Sequence, residues 1–254
     1  MRPGFFRLEL QRQQVIGLEG FFSREQEYKR IIGRFQEHFF ELGQQVFRHQ
    51  LPGFVRQIIF FTQKGLVSVV PQTGKVLWRQ PYKFDVSTAS SPIVSDDIVY
   101  CSAAYNVGAG AFRIAKDGDN FSAAPLWRQE GKLMNHWTTP VCKDGYLYGL
   151  YGHGKAADAP LKCVEIATGK EMWSKPGFGG GGATVLVGGN VLVQSDRGPL
   201  VLVEASPKEY REIARAQIYG GQCWTMPVVS GGRIFARNTK EGFCLNVVPQ
   251  TATR

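Results

Sequence analysis

From residue 57 onward, apolar and β-branched residues come in short runs of four to seven, and polar turns separate the runs at close intervals. The runs are paired. "SSPIVSDDIVY" (90–100), "TTPVCKDGYLY" (138–148), "GATVLVGGNVLV" (182–193) and "TMPVVSGGRIF" (225–235) each set two strand-like runs about a polar turn, the pattern of a β-hairpin. A third run follows each pair: "AFRIAK" (111–116), "LKCVEIA" (161–167), "PLVLVEA" (199–205) and "GFCLNVV" (242–248). Pro92, Pro140, Thr184 and Pro227 hold matching places, in steps of 48, 44 and 43 residues.

A fourth run in each unit ends in tryptophan where that residue survives. "PQTGKVLW" ends at Trp78, "SAAPLW" at Trp127 and "IATGKEMW" at Trp173, while the corresponding place near Ala214 has none. Four short antiparallel strands per 43 to 48 residues predict an all-β fold, a β-propeller of four-stranded blades. The opening piece from Val55 to Trp78 supplies three strands but lacks the Pro-Val strand that starts every later unit, and the closing piece from Trp224 to Val248 supplies three but stops before a tryptophan strand. That makes eighteen strands, about four and a half blades. Either the two partial units share a closing blade or the ring is incomplete, and an open ring would leave an edge suited to self-association.

The Thr-Gly-Lys-x-x-Trp phrase has a structural reading. Gly74 and Gly169 take the backbone angles of the tight turn before the fourth strand. Trp78, Trp127 and Trp173 then lie between adjacent blades, where an indole ring contributes a large share of the contact. Repeated with a blade period, the phrase resembles the tryptophan-docking motif of the pyrroloquinoline-quinone-like (PQQ-like) β-propellers, over about residues 55–250. "FFTQKGLVSV", "HWTTPV", "DGYLYGL" and "SDRGPLVLVEA" add to the resemblance. It implies a ring of seven or eight blades, commonly in exported bacterial proteins, some with PQQ and Ca²⁺ as cofactors. Others, such as the outer-membrane assembly lipoprotein of bacteria, are non-catalytic. The sequence as written departs from that expectation on both counts: it predicts fewer repeats, and no leader is expected from its first twenty residues.

Residues 1–54 do not share the repeat and are expected to form an N-terminal helical extension. Ser23-Arg24-Glu25-Gln26 reads as a capping box. Tyr28, Ile31, Ile32, Phe35, Phe39, Leu42 and Val46 then fall on one stripe of 3.6-residue period, predicting a helix over about 24–49 that ends before Pro52-Gly53. Nine of the 17 phenylalanines lie in residues 1–56. The helix packs on the neighbouring β domain, or it serves a membrane surface or a partner; its polar face mixes Glu with Arg.

Charge and cysteines narrow the function. The formal charge of +9 is spread along all 254 residues, with no basic run interleaved with aromatics, so a nucleic-acid partner is not expected. No apolar run reaches the length of a membrane-spanning helix. Charges at Arg7, Glu9, Arg12 and Glu19 break the start of the chain, which as written stays cytoplasmic. The five cysteines show no C-x-x-C spacing, so no metal site is expected.

For a quinoprotein dehydrogenase, the resemblance asks for PQQ stacked on a Trp, Ca²⁺ held by carboxylate and amide oxygens, and an Asp base. In alcohol-oxidising relatives it also asks for an adjacent Cys-Cys pair, which this chain lacks. The acidic residues fall mostly in turns. The favoured reading is a non-catalytic scaffold binding a protein, peptide or glycan across the ring face, with no catalytic residue and no cofactor expected. PQQ with Ca²⁺ is the alternative. Candidate ligand residues lie where the innermost strands begin, at the channel mouth: His136 with Trp137, and Cys223 with Trp224. Exposed tryptophans there could stack a flat ligand or sugar ring, or simply plug the channel. The turns after the second strands add Arg197, which could pair a carboxylate, with Asn106, His153 and Asn238.

Overall fold

Polar turns of two residues fold the chain back on itself again and again. In the computed structural model, which describes residues 9–11, 55–85, 88–152 and 159–247, the result is all-β. Strand β1 (Glu9–Gln11) stands apart in sequence. The first sheet is β2 (Ile58–Thr62), β3 (Gly65–Val69) and β4 (Val76–Pro81). The second is β5 (Ile93–Ser95), β6 (Ile98–Ala103), β7 (Gly108–Asp117) and β8 (Asn120–Gln129). The third runs β9 (Val141–Lys143), β10 (Tyr146–Leu150), β11 (Leu161–Glu165) and β12 (Glu171–Lys175). The fourth is β13 (Gly182–Val187), β14 (Asn190–Ser195), β15 (Pro199–Glu204) and β16 (Glu212–Gln217), and the last is β17 (Val228–Ser230), β18 (Arg233–Arg237) and β19 (Gly242–Asn246). Within residues 58–246 every sheet is antiparallel and in chain order, like the blades of a propeller. The expected capping box at Ser23 and helix over 24–49 lie outside the described residues, as does His153.

Residues 58–246 thus hold the eighteen strands read from the hydrophobic pattern. One pairing departs from that reading. The last sheet gains a fourth strand from β1, which runs antiparallel to β19 with Gln11 opposite Cys244 and Glu9 opposite Asn246.

One irregularity recurs at the same place in four sheets. Trp78 lies opposite Ser68, Trp127 opposite Ala111, Trp173 opposite Cys163 and Ala214 opposite Leu202, and next to each pair the register shifts by one residue. The extra residue is the apolar one just before: Leu77, Leu126, Met172 or Ile213. A bulge there twists the outer strand and re-aims the next side chain, so the indole turns onto the face that meets the following sheet. Tyr100 with Trp127 and Tyr148 with Trp173 repeat one geometry, centroids 6.1 Å apart and rings tilted 46°.

The core is divided among the junctions. Leu66 and Trp78 of the first sheet pack on Val99, Cys101 and Phe112 of the second. Tyr100 and Ala111 pack on Leu147 and Val164, Tyr148 and Cys163 on Val191 and Val201, and Leu192 and Leu200 on Ile234 and Leu245. Central strands such as β6, covered on both faces, are therefore buried throughout, whereas the outer strand β16 is almost wholly exposed. Among the described residues, four such cores link five sheets in sequence, and none joins the first sheet to the last.

Indole N–H groups also reach across. Trp127 Nε1 donates to the Ile166 carbonyl at 2.9 Å and Trp173 Nε1 to that of Ser206 at 2.8 Å. Trp78 Nε1 donates within its own unit, to Gln57 Oε1 at 2.9 Å. Gly169 and Gly74 share a left-handed backbone, φ 72° and 69°, but their surroundings differ. A Cβ on Gly169 would lie 2.8 Å from the Trp127 ring, whereas one on Gly74 would meet nothing within 4 Å. Gly74→Ala should therefore cost about 1–2 kcal/mol, the strain of the backbone alone. Gly169→Ala should cost about 1–3 kcal/mol more from overpacking. Denaturant midpoints of the two variants check this difference.

Candidate functional site

The strands that open the second, third and fourth sheets, together with β2 of the first sheet and Met226 ahead of the last, line one cavity of about 530 Å³. Its wall is Ile58 and Phe60 of β2, Ser90 to Pro92 before β5, Thr139 and Pro140 before β9, Thr184 to Leu186 of β13, and Met226 before β17. These are hydroxyl, proline, aliphatic, phenylalanine and methionine side chains, with no carboxylate and no cation among the lining residues. Neighbouring wall segments are stitched together. Ala89 N–H donates to the His136 carbonyl at 2.8 Å and Ser91 N–H to Thr139 Oγ1 at 2.9 Å.

At the end where these strands begin, the chain leaves an aromatic row. The rings of Tyr105 and His136 meet edge-on at 5.0 Å, those of His136 and Trp137 are 4.8 Å apart, and those of Trp137 and Trp224 are 6.2 Å apart. Trp224 is 58% exposed and Met226 beside it 59%. Trp137 and Trp224 each lie two residues ahead of a wall residue, Thr139 and Met226. Trp137 leans over the Gly-rich stretch ahead of β13, where a Cβ on Gly181 would come within 2.9 Å of its ring.

The row is held from behind. Fully buried Asn135 receives a hydrogen bond from the Tyr100 hydroxyl at 2.9 Å on its Oδ1. Its N–H donates to Ser102 Oγ at 2.8 Å and its amide to the Leu150 carbonyl at 3.0 Å. This fixes the residue just before His136 and Trp137. Cys223 occupies the same place relative to Trp224 that His136 does to Trp137, but its side chain points inward. It is buried, with its thiol on the Arg237 carbonyl at 2.8 Å and close to the Gln194 amide, which also donates to the Thr225 carbonyl at 3.1 Å. Cys223 therefore positions Trp224 and is not itself on the exposed row.

Arg197 is exposed in the turn after β14, beside the same glycine stretch at Gly179. Just before it, the Asp196 carboxyl is pushed above the usual carboxylate range by burial, partly offset by the Arg197 guanidinium and the Gly180 N–H. Asn238 is buried and caps its own turn, accepting from the N–H groups of Lys240 and Glu241 at 2.7 and 2.8 Å. The residue that the sequence reading missed is Tyr105. It and Asn106 both have positive φ, 56° and 65°, the tip of the β6–β7 hairpin that brings Tyr105 onto His136 with its hydroxyl 3.2 Å from Nε2. Among the described residues, no three His, Cys, Asp or Glu side chains converge as a metal would need. All five thiols are free, and burial pushes that of Cys163 up to about 11.

Residues 157–247 match the family described as outer membrane protein assembly factor BamB, a PQQ-like repeat family. That part of the chain therefore carries PQQ-like repeats. No curated protein matches the chain. Among solved structures, the crystal structure of the computationally designed Ika8 protein is similar, with a TM-score of 0.56 and 14% identity. The alignment covers 76% of this chain and 55% of that one, so the chain spans about half the length of this solved relative. At this identity the likeness bears on the fold alone.

Because its folded-state pKa is raised, Asp196 holds its proton more tightly in the folded than in the unfolded chain. Its contribution to stability is therefore lost as pH rises from the ordinary carboxylate range through the raised folded value. Asp196→Asn should flatten this dependence, gaining on the wild type at neutral pH and losing that advantage below pH 4. Thermal midpoints measured across that range test it.

Proposed function

We propose that this chain is a non-catalytic binding module whose ligand surface is the aromatic row at the mouth of the central cavity. The observation that carries this reading is the exposed Trp224 beside Trp137, both anchored through buried neighbours. Preorganised aromatic side chains give large contact area at small cost in conformational entropy. The cavity below them is uncharged and largely apolar. That combination suits an extended peptide segment of a partner protein, which can stack an aromatic side chain on the row and lay apolar side chains along the cavity wall. The family description over residues 157–247, an assembly factor, supports a role in binding rather than turnover.

The alternative is a quinoprotein. A calcium-bound quinone calls for hard oxygen ligands that converge on the ion. The cavity lining offers hydroxyls and carbonyls but no carboxylate, so the residues present do not fit that pair.

Two titrations followed by tryptophan fluorescence separate the readings. Peptides selected from a random displayed library on the folded chain should bind saturably, and Trp224→Ala or Trp137→Ala should weaken them at least tenfold, about 1.4 kcal/mol. PQQ with Ca²⁺ should leave the signal flat. Saturable one-site quenching by PQQ that a chelator abolishes, or peptide binding indifferent to both substitutions, would overturn the proposal.

A further inference from the structure

The turn that carries Arg197 is built into the support of both tryptophans. Asp196, the residue before it, donates its N–H to the Gly181 carbonyl at 3.0 Å and accepts the Cys223 N–H on its own carbonyl at 2.9 Å. Gly181 lies under the Trp137 ring, and Cys223 immediately precedes Trp224. One residue thus ties together the supports of two indoles whose centroids are 6.2 Å apart, and the next residue is an arginine. The glycine stretch brings that arginine close to Trp137. A Cβ on Gly179 would come within 3.4 Å of Arg197 Cγ and Cδ, and one on Gly181 within 2.9 Å of the Trp137 ring. Two residues of chain span at most about 7 Å.

The Arg197 side chain is exposed and enters none of the ion pairs among the described residues. The neighbouring Asp196 carboxyl does not neutralise it by contact, because it turns inward beneath Gly179 with its Oδ1 buried. The cavity lining holds no charge, and the whole chain is basic, with a formal charge of +9. A lone guanidinium at the edge of two indoles complements a carboxylate held close to an aromatic ring. Its planar fork suits a carboxylate better than an ammonium would.

On the strength of the binding role inferred above, we propose that the partner segment is acidic. An Asp or Glu side chain of that segment pairs with Arg197, while an aromatic residue within about three positions of it stacks on Trp137 and Trp224. An extended peptide advances about 3.3 Å per residue, so that spacing covers the distance between the arginine and the indoles.

Peptides selected from a random displayed library on the folded wild-type chain should be enriched in Asp or Glu within that distance of an aromatic residue. In one such peptide, replacing the acid by its amide should weaken binding about fivefold on the wild type and not at all on Arg197→Gln. The same library selected on Arg197→Glu should return Lys or Arg in place of the acid. These substitutions spare the turn, which is held through the Arg197 backbone: its N–H donates to Ser195 Oγ at 3.3 Å, and its carbonyl accepts from the Gln217 amide at 3.1 Å. The β-sheet circular dichroism should therefore stay unchanged. Peptides that need Trp224 but show no excess of acid would overturn the assignment of charge and leave the binding role standing. So would an acid-to-amide loss as large on Arg197→Gln as on the wild type. If no peptide binds saturably, both fall.

Discussion

The constraint on which this structure depends is that no sheet here can bury both of its own faces. Each is a twisted layer with apolar residues on two sides, and it becomes stable only when a trailing row, such as Tyr100 with Ala111, sits on the leading row of the next, such as Leu147 with Val164. The bulge before each tryptophan serves this contact. It turns the indole off the strand and across the junction, where the Trp127 ring reaches Gly169 and its N–H reaches Ile166. Glycine is required at 169 for closeness as well as for its turn. At 74 only the turn demands it.

Much of this was legible in the sequence because it is local. Two polar residues between β-branched runs leave the chain little choice but a hairpin, so the hairpins from Ile93 to Phe235 fell where the pattern put them. The bulge too leaves a trace, since Leu77-Trp78, Leu126-Trp127 and Met172-Trp173 break strict alternation with two adjacent large apolar residues. Strand β1 left no such trace. Three residues, Glu-Leu-Gln, are too short a run to stand out as a strand, and the sequence carries no mark of a partner more than 230 positions away.

The site was less legible, for the same reason. Trp137 and Trp224 could be singled out because both precede the first strand of a repeat by a fixed interval, and their rings lie 6.2 Å apart. Tyr105 could not, because it reaches His136 through two successive left-handed residues at a hairpin tip, a conformation that Asn106 tolerates but does not announce. Cys223 matched His136 in sequence position yet turned inward, since Gln194 and the Arg237 carbonyl offer its thiol partners. Direction of a side chain is a tertiary property even where its position is not.

The place where tryptophan is missing, Ala214, has a consequence for how the molecule comes apart. In a linear stack each sheet answers only to its neighbours, so stability is a sum of adjacent terms and unravelling starts at the weakest. The junction between the fourth and last sheets has no indole. Tyr219 stacked on Phe243 at 5.0 Å holds it instead, outside the bulge that aligns the other rings. The cooperative unit therefore has a soft end. Amide protons of β18 and β19 should exchange ahead of those of the second and third sheets, through an opening that carries off Trp224 and leaves Trp137 in place.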